Sequence, residues 1–120
     1  MAFTGYLSKG DSIILNMHLA RMYGLDAAIL LGVLANEYDL AEARDEIDDD
    51  GYFCAPVKHI KEKTRLSYKR QRRAIEFLKE DGILDVKAKG IPAKRYLRVS
   101  ERRLGAMLKD KTEDRHAASV

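Results

Sequence analysis

Four cations fall within five residues at Lys69, Arg70, Arg72 and Arg73, interrupted only by Gln71. Such a run performs no proton transfer or nucleophilic attack, but it can hold phosphate. Lysine and arginine grip phosphate oxygens, and an arginine fork also pairs with the major-groove edge of guanine. At 100° per residue, Gln71, Ala74, Ile75 and Leu78 share one side of a helix over 68–80, and Lys69, Arg73 and Glu76 lie opposite. Arg70 and Arg72 flank that outer face. Ser67 precedes the run as a helix cap, and Tyr68, Lys69 and Arg72 occupy the first turns, the end that meets base edges. A solvated helix face more often mixes signs than concentrates one. Two further basic groups follow the same logic: Lys87, Lys89, Lys94 and Arg95 along a hairpin, and Lys58 and Lys61 on the helix before the cluster.

Other chemistries find no matching pattern. The sequence has no glycine-rich phosphate loop, no Gly-x-Ser-x-Gly and no Cys-x-x-Cys. His18, His59 and His116 are isolated from one another, and Cys54 in Tyr52-Phe53-Cys54-Ala55 reads as a small buried hydrophobe. The acidic stretch 45–50 invites a calcium loop. Started at Glu46, however, the closing glutamate would fall on Val57, so the pattern fails. No catalytic residue, metal or cofactor is expected.

The elements that must position these cations follow from charge and periodicity. Residues 1–56 carry three basic and ten acidic residues, a net of −7, whereas 57–103 carry sixteen and six, a net of +10. That segregation is the footprint of a polyanion partner. A chain of 120 residues fits one domain. No apolar run reaches the roughly 18 residues of a membrane span. Met1 to Gly10 lacks the charge and apolar pattern of a signal peptide, so a cytoplasmic protein without membrane contact is expected.

Residues 1–11 read as a flexible N-terminus, and 12–15 as a short strand or the lead-in to a helix. Asn16 caps a helix over 17–23, which Gly24 ends. Asp26 is the expected N-cap of a helix from Ala27 to about Ala43. Its first half is apolar on all sides, which predicts a homodimer interface through Ile29, Leu30, Val33 and Leu34. A solvated acidic loop at 45–50 precedes a short strand over 51–55. Pro56 opens a helix to about Lys63, with Val57 and Ile60 inward. Thr64-Arg65-Leu66 turns, the capped helix 68–80 follows, and Asp81-Gly82 stops it. The period then changes from 3.6 to 2: Leu84, Val86 and Ala88 alternate with Asp85, Lys87 and Lys89. The chain turns at 89–94 and returns through 95–99 as a β-hairpin. A last helix covers 101–109, with Leu104, Met107 and Leu108 on one face, inside a 104–120 segment whose end, Lys111 to Val120, reads as frayed.

Short helix, tight turn, capped helix, glycine and hairpin predict an α+β, mostly helical fold. It is a winged helix-turn-helix with a two-stranded wing and extra N-terminal helices, spanning 12–103. Three stretches carry a resemblance: Asp50-Gly-Tyr-Phe-Cys-Ala-Pro-Val; Thr64 through Gly82-Ile-Leu; and Lys87-Ala-Lys-Gly-Ile-Pro-Ala-Lys-Arg-Tyr-Leu-Arg-Val. Together they resemble the winged-helix module of phage and plasmid replication proteins, and are similar to the N-terminal domains of DnaD-like replisome organisers. The resemblance covers about residues 12–103. It implies a double-stranded DNA partner, oligomerisation through this module, and a separate downstream domain with DNA or helicase-loader contacts. Two other functions stay open on residues alone: a transcriptional regulator on the same fold, and a protein-interaction module using the basic face or the apolar helix 27–38.

Overall fold

The computed structural model describes residues 3–118, with side chains described as far as Lys109. Its elements run α1 (Phe3–Leu7), α2 (Met17–Tyr23), α3 (Leu25–Ala43), β1 (Phe53–Cys54), α4 (Val57–Thr64), α5 (Tyr68–Glu80), β2 (Leu84–Lys89), β3 (Lys94–Val99) and α6 (Glu101–Ala118). The N-terminal residues expected to be loose form one helical turn, α1, which buries no side chain. Residues 12–16 have no regular secondary structure and lead into α2. The Asn16 side chain caps α2 by accepting from the Leu19 N–H at 3.1 Å.

Gly24 separates α2 from α3 at φ 96°, a conformation that a residue with a Cβ rarely adopts. The expected cap, Asp26, instead lies inside the first turn of α3, and the N-cap is Gly24 without a side-chain bond. This frees the Asp26 carboxylate for another partner.

Helix α3 is the centre of the core. Leu30 and Leu34 are fully buried and Val33 nearly so within the single chain, and Ile29 is half-buried. The apolar half of α3 is covered by α2, α4, α5 and the segment before α2. Gly32 permits that last approach, since a Cβ there would come within 2.7 Å of the Ile14 carbonyl oxygen. A helix apolar on every side needs cover on every side, and this chain supplies it locally. Leu30, Val33 and Leu34 are therefore unavailable to the dimer interface expected there, whereas Ile29 keeps partial exposure.

The sheet has three antiparallel strands in the order β1-β3-β2, so β1 extends the two-stranded hairpin through Phe53↔Leu97 and Cys54↔Tyr96. Phe53 is fully buried, with Tyr38 of α3 edge-on to its ring at 5.8 Å. The β2–β3 register pairs Leu84 with Val99, Val86 with Leu97 and Lys89 with Lys94. Side chains alternate across a strand. On β3 this puts Arg95, Leu97 and Val99 on the core face, and Lys94, Tyr96 and Arg98 on the other.

The acidic loop is anchored rather than merely solvated. Asp48 accepts from the backbone N–H groups of Asp50 and Tyr52 and from the Lys87 ammonium at 2.8 Å. These bonds, Lys87 first, hold its carboxyl down at about 2. The C-terminal helix α6 continues to Ala118, beyond Lys109, where a frayed end was expected. The side chains of 110–120, His116 among them, lie outside the described residues. No helix among the described residues is long and apolar enough to cross a membrane.

Candidate nucleic-acid interface

Helix α5 carries the centre of the basic surface. The Ser67 side chain caps it by accepting from the Arg70 N–H at 3.2 Å. Gln71, Ala74, Ile75 and Leu78 are buried, as the helical wheel requires. Tyr68, Lys69, Arg70, Arg72 and Arg73 are exposed. The first turn contains no acidic residue, so the positive end of the helix dipole and the flanking cations add to one another. An anion is the natural complement.

Partners divide the expected site residues into two sets. Lys69 is exposed with no carboxylate bonded to it among the described residues. Arg72 makes only an exposed i,i+4 pair with Glu76 at 3.3 Å, a contact worth a few tenths of a kcal/mol that a phosphate can replace. The Arg73 guanidinium sits over the Phe77 ring, 6.0 Å from its centroid. Phe77 is 43% exposed and lies beneath this cation. At the far end of the hairpin, Lys89 and Lys94 face each other across the last rung, both exposed. Lys89 rests over Tyr96 at 5.3 Å. Like charges directly opposite are destabilising in a sheet, so this rung also suits an anion. Lys58 and Lys61 are exposed on α4.

Three expected contacts are engaged within the chain. Arg70 forms a two-pronged ion pair with Asp26, at 2.6 and 2.9 Å, and fastens α5 to the start of α3. That contact also lowers the Asp26 carboxyl from its ordinary value. Lys87 is bound to Asp48 and lies 4.1 Å from the Tyr52 ring centroid, so it faces the acidic loop and not an outer groove. Arg98 lies 4.9 Å from the same ring centroid and pairs with Asp85, so two cations contact Tyr52.

Arg95, the third, is the clearest correction. Its Nε donates to the Ala55 carbonyl at 2.7 Å and its NH2 to Gln71 Oε1 at 2.9 Å. Burial lowers its guanidinium pKa from the ordinary arginine value. Gln71, fully buried, completes the network by donating Nε2 to the carbonyls of Leu66 at 2.9 Å and Val57 at 3.1 Å. One buried amide thus joins the hairpin, the turn before α5, the start of α4 and α5 itself. Gln71 and Arg95 position the basic elements relative to each other. The signals were present in the sequence: Gln71 is the single polar residue on an inward wheel face, and Arg95 is two residues from Leu97 on a strand of period two.

The structure adds cations that sequence reasoning passed over. Arg65 caps α4 with φ 65° in the turn before α5, and Lys63 precedes it; both are exposed. His59 is held by Glu37 of α3 at 2.9 Å. Among the described residues, no group of histidine, cysteine, aspartate and glutamate is placed to hold a metal ion.

No family model matches the chain, and no curated protein matches it. Among solved structures, two that are similar to it match along nearly their whole length. One, described as "N-Terminal domain of DNA binding protein", has 18% identity and a TM-score of 0.61 over 94% of each chain. The other, described as "Structure of Rep-DNA complex", has 17% identity and the same TM-score over 94% of this chain and 95% of that one. At these identities the likeness is one of fold, and it takes in the N-terminal helices together with the helix pair and the hairpin.

Proposed function

We propose that the chain is a winged-helix module that binds duplex DNA without catalysing a reaction on it, of the kind used in phage- or plasmid-type replication initiation. The observation that carries this reading is the outer face of α5. Lys69, Arg72 and Arg73 stand exposed there beside a capped helix N-terminus, and among the described residues only the exposed Arg72–Glu76 pair engages them. Helix α5 would enter the major groove, Lys89 and Lys94 would hold the adjacent backbone, and Lys58, Lys61, Lys63 and Arg65 would line the phosphates on the other side. The order β1-β3-β2 with a helix pair between β1 and β2 supports a winged helix. The fold it shares with a protein solved in a Rep–DNA complex supports the replication role. The reading needs one chain per site; a dimer would have to use a surface other than Leu30 and Leu34.

The test is binding to a pool of random duplex DNA at two salt concentrations, with sequencing of the retained fraction. Retention that weakens with salt is the expected result, with a slope of about −0.9 in log K against log salt for each phosphate neutralised. A defined non-palindromic motif fits the replication reading, and a palindrome with half-sites one helical turn apart would favour a regulator. Absence of retention at low salt would overturn DNA binding and leave the protein-interaction module.

A further inference from the structure

The turn between β2 and β3 ends in a large apolar side chain with nothing around it. Ile91 is fully exposed, the most exposed large hydrophobic among the described residues. Beside it stands Pro92, and behind it Lys89 and Lys94 face each other across the last rung. Two cations directly opposite one another raise the energy of a free hairpin, and an isoleucine at its tip adds nothing to the core. Both features become favourable together only where the tip meets something anionic at its sides and apolar at its centre. A DNA groove supplies the first, since phosphates line its two walls, and an opened base step supplies the second, since unstacking exposes the apolar base faces.

The position of the tip fits. Arg95 ties the hairpin to Gln71 in the first turns of α5, so the hairpin springs from beside the start of that helix. Ile91 lies in the turn that follows the Lys89–Lys94 rung, the rung next to the one that holds Arg95. A helix in the major groove has the adjacent minor groove roughly half of a 34 Å turn away. We propose that Ile91, backed by Pro92, is an apolar wedge that enters the minor groove beside the α5 site and partly unstacks one base step, with Lys89 and Lys94 on the flanking phosphates. This rests on the DNA-binding reading above and goes beyond it. The wedge kinks the duplex, and it gives preference for a flexible pyrimidine–purine step at a position where no side chain reads a base edge.

The test uses the whole chain and short duplexes in which a TA step carrying 2-aminopurine is moved along the site. Occupancy is followed separately by anisotropy of an end label. At saturation, the natural chain is expected to raise 2-aminopurine fluorescence severalfold at one location. Ile91→Leu should retain the rise and Ile91→Ser should lose it. The affinity of Ile91→Ser should fall by no more than about tenfold, because the serine variant buries less apolar surface but no longer has to unstack the step. Saturation without a rise on any duplex would overturn the wedge and leave DNA binding intact. A rise that survives Ile91→Ser but disappears in Lys89→Ala/Lys94→Ala would assign the distortion to the cations and also overturn it. Absence of saturation on every duplex at low salt would remove the DNA-binding reading and the wedge with it.

Discussion

At the scale of residues, what matters is which cations are already engaged within the fold. Arg70, Lys87, Arg95 and Arg98 each meet a carboxylate, a carbonyl or the buried amide of Gln71, whereas Lys69, Arg73, Lys89 and Lys94 meet none of these among the described residues. Arg73→Ala is expected to weaken binding to a preferred duplex by about 1–3 kcal/mol if its fork reads a base. Equal weakening on every duplex would mark it as a phosphate contact, and unchanged affinity would contradict its placement. Gln71→Leu is expected to act on stability instead. It strips a buried partner from Arg95 and from two carbonyls, and unfolding in urea should show a loss of about 1–3 kcal/mol. A variant as stable as the natural chain would show that water or a shifted side chain replaces these bonds.

At the scale of elements, the loop after α3 and the strand β2 are joined through Asp48. Its carboxyl lies at about 2 in the folded chain against an ordinary 3.8, so the charged form is the one that the fold favours. A depressed folded value contributes stability above the unfolded pKa, and that contribution disappears as pH falls through the interval from 3.8 toward 2. Asp48→Asn should therefore be less stable than the natural chain at neutral pH, and the gap in melting temperature should close across that interval. A gap that stayed constant down to pH 2 would show that the Lys87 contact is not formed in solution. The loop was legible as acidic, but its anchoring was not. Asp48 meets Lys87 across 39 positions of sequence, and nothing local distinguishes it from Asp49 or Asp50.

At the scale of the whole molecule, charge segregation and core burial act together. The acidic first half supplies α3, around which the other elements pack, and the basic second half supplies the exposed ridge of α5 and the end of the hairpin. Because Leu34 is fully buried inside one chain, Leu34→Ala should lower unfolding stability by about 2–5 kcal/mol at every protein concentration. A destabilisation that shrank as concentration rose would return this residue to an interface between chains.

The sequence by itself determined the order and type of nearly every element from α2 onward. Each is written in a local code: Asn16 and Ser67 as caps, Gly24 and Gly82 as stops, and a 3.6-residue period that yields to a period of two at Leu84. It also determined which face of α5 is basic, since helical geometry alone separates Lys69 and Arg73 from Ile75 and Leu78. Only the tertiary structure decided which of those cations are free. Whether Arg70 meets Asp26, or Arg95 meets Gln71, depends on how segments 44 and 24 residues apart are brought together. It likewise decided that α3 is covered by its own chain. A helix apolar on all sides states that it needs neighbours, and only packing says whose they are.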